Sequence, residues 1–291
     1  MAYARLILLQ RENCQLGRYG QKYWGAPGWV LGSLVVLVNI NGALLAYLIG
    51  AGDFLHFLFP QLSSFKWGLV FLFLVLPVVI LGLRSIVKVN ALVVWALVLL
   101  LVVFLGWGMT RINPGHFWFS SENDTVRAFS VFFFSYAGFA VIPELAEVME
   151  FKRKQLFQAT TIGSLLPGVL YFLFALIGVG VFGGQLSEEF IYGLGKISLF
   201  WSRLMGLVGL MAIITSFFAF SFALKEFWQR DFGLDSLTSL VLTFLPAGIF
   251  YLGGNRDFLG VISFTGGASC LLMATLILSC FLKEKIGKKR R

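Results

Sequence analysis

The chain has 291 residues, of which 58% are hydrophobic and 13% charged, and its mean hydropathy is +0.87. A soluble domain carries about 25% charged residues, so a chain this apolar, with 32 Phe, needs lipid as its solvent. The net charge of +9 fits a basic tail at residues 283–291 lying against anionic headgroups, with no call for a nucleic-acid partner.

A bilayer core about 30 Å thick takes about 20 apolar residues per helix, and such runs recur along the chain. They predict spans at 29–52, 65–84, 89–109, 125–147, 158–183, 199–224, 236–253 and 258–282. The expected fold is an all-α polytopic membrane helix bundle of about eight transmembrane helices, one membrane domain throughout. Residues 1–28 are mixed and contain glycine, and read as a cytoplasmic segment leading into the first span. Arg5, Arg11 and Arg18 interrupt any signal-peptide pattern there. In the first span, Asn39, Asn41 and Tyr47 supply polar groups that could face one cavity. Pro77, Pro167 and Pro246 lie inside the second, fifth and seventh spans, where kinks are expected without functional meaning. Residues 110–124, with Asn113-Pro114-Gly115, read as a loop.

The fourth span is the most informative. Ser135, Ala137, Gly138 and Ala140 are small, and Pro143 cannot donate an amide to residue 139, so the helix is weakened near mid-membrane. Such interruptions form substrate sites in secondary transporters, and they also occur as ordinary proline kinks packed on glycine. Glu144 and Glu147 share a helix face at i, i+3. An ionisable group in a membrane helix is a functional candidate. The basic run Lys152-Arg153-Lys154 nearby offers the alternative of interfacial pairing.

The fifth span ends in Gly178-Val-Gly180-Val-Phe-Gly183, a formal GxGxxG. A dinucleotide fingerprint works only between a strand and a helix N-terminus. Here the motif closes an apolar helix, which suits close packing and helix termination. In the sixth span, the adjacent hydroxyls of Thr215 and Ser216 could coordinate an ion or substrate, or bond back to the preceding turn. Cys14, Cys270 and Cys280 have no CxxC or metal-ligand spacing, so no metal site and no disulfide framework is expected. His56 and His116 fall near span ends. With no HExxH, no GxSxG and no mid-membrane cluster of His with carboxylates, the chain is expected to carry solutes rather than catalyse a reaction, without a cofactor.

Orientation follows from the basic residues. Of 23 Lys and Arg, only Lys66, Arg111, Arg127, Lys196, Arg203 and Arg256 fall on the side opposite the termini. The expectation is an even number of spans, with both termini cytoplasmic, in a plasma membrane.

These residues resemble a family. The run from Ser135 to Leu145, followed by Lys152-Arg153-Lys154, looks like the sixth helix of the amino acid/auxin permeases, a group that includes bacterial aromatic amino acid permeases. Gln15-Leu16-Gly17 through Tyr23-Trp24-Gly25, then Gly42 to Gly50, is similar to their cytoplasmic segment and third helix. Thr215-Ser216 with Leu224 to Leu234 resembles the eighth helix and following loop, and Asp257-Phe258-Leu259 with Gly266-Gly267 the start of the tenth.

The resemblance implies two inverted five-helix repeats, the first helix of each broken at the substrate site. Residues 29–109 would be a partial first repeat, 125–282 the second and 283–291 a basic cytoplasmic tail. On that register the first two family helices and the eleventh have no counterpart. It also implies a secondary-active amino acid permease coupled to H⁺ or Na⁺, its substrate an aromatic or other apolar amino acid. Ser135, Tyr136, Ala137, Gly138 and Phe139 would line the site, Tyr47 would cap it, and Thr215, Ser216 and Glu144 would serve ion coupling. Many family members have His in place of Phe139 and Gly in place of Ala137, so this pocket is expected to be more apolar. The alternative is a non-transporting membrane scaffold or partner derived from such a permease; the oligomeric state is open.

Overall fold

A computed structural model describes residues 2–10, 14–81, 83–118, 125–185 and 190–289, with side chains at all of these but 10, 81–89, 185 and 287–289. Arg11, Arg290, Arg291 and residues 119–124 of the predicted loop lie outside the described residues, as do the side chains of Arg84 and Lys88. Among the described residues all regular structure is helical. The helices are α1 (Ala2–Gln10), α2 (Leu16–Leu58), α3 (Ser64–Leu81), α4 (Leu83–Met109), α5 (Thr125–Ser135), α6 (Ile142–Val148), α7 (Arg153–Phe182), α8 (Phe190–Ile197), α9 (Leu199–Phe232), α10 (Ser236–Leu252), α11 (Phe258–Phe264) and α12 (Cys270–Lys289).

Among the described residues, six helical stretches are long and apolar enough to cross a membrane: Leu16–Leu58, Asn90–Met109, Thr125–Val148, Arg153–Phe182, Leu199–Phe232 and Phe258–Ile286. Two shorter apolar helices, Ser64–Ile80 and Ser236–Leu252, occupy the second and seventh predicted spans. All eight spans are therefore helical, and the protein is an all-α polytopic membrane bundle. The side chains of α4 show why water is the wrong solvent: Leu92 and Trp95 are 74% and 75% exposed in a stretch, residues 91–109, that contains no charged residue.

The predicted boundaries move in three places. Residues 1–28 are largely helical, forming α1 and a first arm of α2 that turns back at Gly25. The charged stretch from Lys225 is not a loop but the end of α9, which runs on to Phe232. The basic tail likewise continues α12 to Lys289. In the last two cases good helix formers, Lys and Glu with Gln and Arg, extend the helix past the apolar window that marks the bilayer.

Glycine builds the turn in α2. Gly25 has φ 66° and ψ −152°, a conformation open in practice only to glycine. The two arms it joins meet through Gly17, Gly20, Gly28 and Gly32. A side-chain carbon at Gly20 would strike the Gly28 carbonyl, and one at Gly32 would lie 2.8 Å from the Leu16 carbonyl. Backbones this close exclude any larger residue at these positions.

The chain divides into two compact units. The first comprises Met1–Ile49, Thr125–Gly163 and Phe217–Arg291, and the second Gly50–Asp124 and Ser164–Ser216. In the second, an aromatic core forms around Phe104, with Trp107 stacked on Trp201 at 4.9 Å between centroids and Phe174 at 5.9 Å from Phe104. The formal GxGxxG closes α7 here. Gly180 accepts the Asn113 amide at 2.9 Å, its absent side chain leaves room for Ile112 and Phe117, and Gly183 ends the helix at φ 57°. Packing and termination account for these glycines.

In the first unit, α1 packs on α6 and α12, and α5 packs on α11, α12 and the π-helical segment Thr265–Ser269 between them. Gly266 and Gly267 admit the close approach of α5: a side-chain carbon at Gly267 would sit 2.6 Å from Ser130 Oγ. α10 starts at an Asp235 N-cap, which accepts from the Leu237 and Thr238 amides at 3.0 and 3.1 Å. Its hydrogen bonds with Thr238, side chain and amide, hold the Asp235 carboxyl below the usual carboxylate range.

Candidate functional site

The interruption predicted in the fourth span is present. α5 ends at Ser135, residues Ala137–Val141 form a 3-10 turn, and α6 resumes at Ile142 with Pro143 in its first turn. The cause is local. Pro143 has no N–H for Phe139 O, so the Ile142 amide takes that carbonyl one residue early. In the 3-10 pattern the carbonyl awaiting residue 143 is that of Ala140. It is held instead by a side chain: Gln15 Nε2 donates to Ala140 O at 3.1 Å. Interrupted helices persist in lipid where protein groups satisfy the freed backbone in this way.

The predicted lining residues are distributed along the break. Ser135 is exposed and its hydroxyl donates back to Phe132 O at 2.7 Å. Tyr136 leans on Phe132 at 5.3 Å between centroids, Ala137 is buried, and Phe139 is half-buried. Gly138 is exposed, and a side-chain carbon there would meet nothing within 4 Å. Tyr47 on α2 comes to this place through aromatic neighbours, its ring 6.2 Å from Phe134 and 6.0 Å from Phe220. The first unit thus gathers the interrupted backbone and an aromatic wall of Tyr47, Phe134 and Phe220.

The two acidic residues separate. Glu147 pairs with Arg230 at 2.9 Å, and Arg230 is further engaged by Glu226. Lys152 pairs with Glu150 at 2.7 Å. Glu144 does not reach outward at all. It is 4% exposed, and its Oε1 accepts from Gln15 Nε2 at 2.9 Å. Glu144 thus bonds to the segment just before α2 and Glu147 to the end of α9.

Gln15 and Asp231 are the residues that sequence reasoning missed. The Gln15 amide donates to Asp231 Oδ2 at 3.2 Å, and the fully buried Asp231 side chain faces Arg18 at 3.4 Å. Arg18 also donates to the Arg230 carbonyl. The short stretch Gln15–Arg18 at the start of α2 therefore ties α6 to the end of α9. No local pattern marks Gln15, since its partners are 125 to 216 residues away. Asn39 also turns from the expected cavity, donating to Ser269 Oγ and Cys270 Sγ beside the π-helical segment, while Asn41 bonds back to Leu37 O.

Thr215 and Ser216 lie in the second unit, at its boundary on α9. Thr215 Oγ1 donates to Ala212 O at 2.9 Å, the back-bonding alternative, and its own carbonyl accepts from Asn90 at 3.2 Å. Among the described residues no group of three or more His, Cys, Asp or Glu is placed to hold a metal ion.

The chain is 22% identical over 307 residues to the tyrosine-specific transport system 1 of Haemophilus influenzae, an alignment covering 98% of this chain and 76% of that protein. No solved structure matches. The tryptophan/tyrosine permease family matches residues 3–291, so the chain belongs to that family of membrane permeases.

Proposed function

We propose that this protein is a secondary-active permease for aromatic amino acids, coupled to H⁺ or Na⁺. The observation that carries the reading is the interruption at Ala137–Val141, which follows closely on Phe134, whose ring lies 6.2 Å from that of Tyr47, itself 6.0 Å from Phe220. Backbone amides and carbonyls at a helix break suit the amino and carboxylate ends of an amino acid, and the aromatic wall suits its ring. The tyrosine transport relative and the family's description support the same substrate class. Ser135 to Phe139 line the site, with Phe139 and Ala137 keeping it apolar, and Tyr47 covers it. Glu144, Thr215 and Ser216 are the coupling candidates.

In this reading residues 29–109 and 125–282 belong to two inverted repeats, both termini face the cytoplasm, and the basic end of α12 lies against anionic headgroups. The test is uptake of radiolabelled tyrosine and tryptophan into proteoliposomes holding the full chain. Wild-type protein accumulates both, with alanine a poor competitor. Gly138→Leu reduces uptake at least tenfold while leaving the thermal transition unchanged, since the space around Gly138 is open. Retained uptake in that variant removes residues 135–139 from the site. A folded wild-type protein that takes up neither amino acid leaves the scaffold alternative.

A further inference from the structure

The pair formed by Gln15 and Glu144 has a hydrogen-bond inventory that does not close. Both side chains are buried, at 2% and 4% exposure. A primary amide has two hydrogens, and Gln15 uses one on Ala140 O and the other on Glu144 Oε1. That leaves Gln15 Oε1 and Glu144 Oε2, two buried acceptors on touching groups, neither with a hydrogen-bond partner among the described residues. Buried acceptors are as a rule satisfied, and two acceptors cannot satisfy each other. One added proton changes this. A hydrogen on Oε2 makes it a donor to Gln15 Oε1, and the two planar groups then form a reciprocal acid–amide pair.

The surrounding charges leave room for that proton. From α9, Glu226 and Arg230 act on Glu144, but Arg230 is engaged by Glu147 and Glu226. Asp231, also on α9, is matched by Arg18 and the Gln15 backbone N–H. From α1 comes Tyr3, whose buried hydroxyl has no partner among the described residues, and beside Gln15 stands the buried Cys14. No cation forms an ion pair with Glu144 among the described residues, so nothing there replaces a proton as its counter-charge.

We propose that Glu144 is the carboxyl that carries the coupling proton, and that Gln15 transmits its protonation to the break in the helix. The proposal rests on the permease reading and selects H⁺ as the coupling ion. The step is a simple uptake: one proton from water joins the Glu144 carboxylate on one side of the membrane and leaves to water on the other, with no other bond made or broken. Transmission follows from the shared nitrogen. The Gln15 Nε2 that bonds Glu144 also holds Ala140 O, inside the 3-10 turn at Ala137–Val141. When Glu144 gains or loses its proton the amide re-orients, and the backbone that faces the substrate moves with it. Gln15 is in these terms a positioning residue.

Two measurements on the full chain in liposomes test this. Infrared difference spectra between acid and alkaline buffer show a protonated carboxyl band in wild type that is absent in Glu144→Gln and shifted in Gln15→Leu. Tyrosine uptake is accelerated at least fivefold by an inward proton gradient in wild type, and that acceleration is lost in Glu144→Gln. A carboxyl band that survives unchanged in Glu144→Gln, gradient acceleration that survives in it, or wild-type acceleration by Na⁺ alone each overturns the proposal. If wild type transports no aromatic amino acid the permease reading fails, while the infrared band still decides whether Glu144 binds the proton.

Discussion

Single residues decide the local geometry of this protein, and Gly25 does so most plainly. Its φ of 66° and ψ of −152° lie where a β-carbon is not tolerated, although a side-chain carbon there would touch nothing within 4 Å. Gly25→Ala is therefore a test of backbone strain alone, worth about 1–3 kcal/mol. The expected outcome is a lower thermal transition in detergent, and an unchanged transition would mean that the arms of α2 join some other way. Gln15 is the opposite kind of residue, decided by three distant partners, Ala140, Glu144 and Asp231. Leaving a buried acceptor without a donor costs about 1–3 kcal/mol, which makes the unfilled oxygens of Gln15 and Glu144 costly unless a proton joins them.

Among the elements, the interrupted helix was legible in the sequence because its causes are adjacent residues. Small side chains at 135, 137, 138 and 140 and the missing amide of Pro143 act within one turn. Their effect does not depend on what packs nearby. The π-helical segment Thr265–Ser269 was not legible. Gly266-Gly267 marked the place, but its purpose is close approach to Ser130 and Phe134, which lie more than 130 positions earlier in the chain. The break also yields a prediction at its own scale. Pro143→Ala restores an N–H that competes with the Ile142 amide for Phe139 O and with Gln15 for Ala140 O, and alanine is the better residue in a helix interior by about 3 kcal/mol. At the first turn of α6 the gain is smaller, since proline is tolerated there. Pro143→Ala is expected to raise the thermal transition slightly and to lower tyrosine uptake at least tenfold. Undiminished uptake would show that the break is not needed for transport.

At the scale of the whole molecule, the apolar surface is the main fact. Trp95 on α4 stands 75% exposed, whereas Trp201 is stacked on Trp107 within the aromatic core of the second unit. In bilayers of lipid brominated in the acyl chains, Trp95→Phe should reduce the quenched fraction of tryptophan fluorescence and Trp201→Phe should leave it nearly unchanged. Equal effects would mean that the face of α4 is not in contact with lipid. Composition and hydropathy alone were enough to establish the membrane bundle, its helical class and the eight apolar elements, because each is a property of about 20 consecutive residues and of the solvent they require. They also located the break. Only the tertiary structure turned Glu144 away from Lys152-Arg153-Lys154 and onto Gln15, a partner 129 positions away. It also assigned Arg230 to Glu147 and placed Tyr47 beside Phe134 and Phe220. The reason is physical: helix formation is governed by near neighbours along the chain, while the partner of a buried polar group is set by which helices fold together around it.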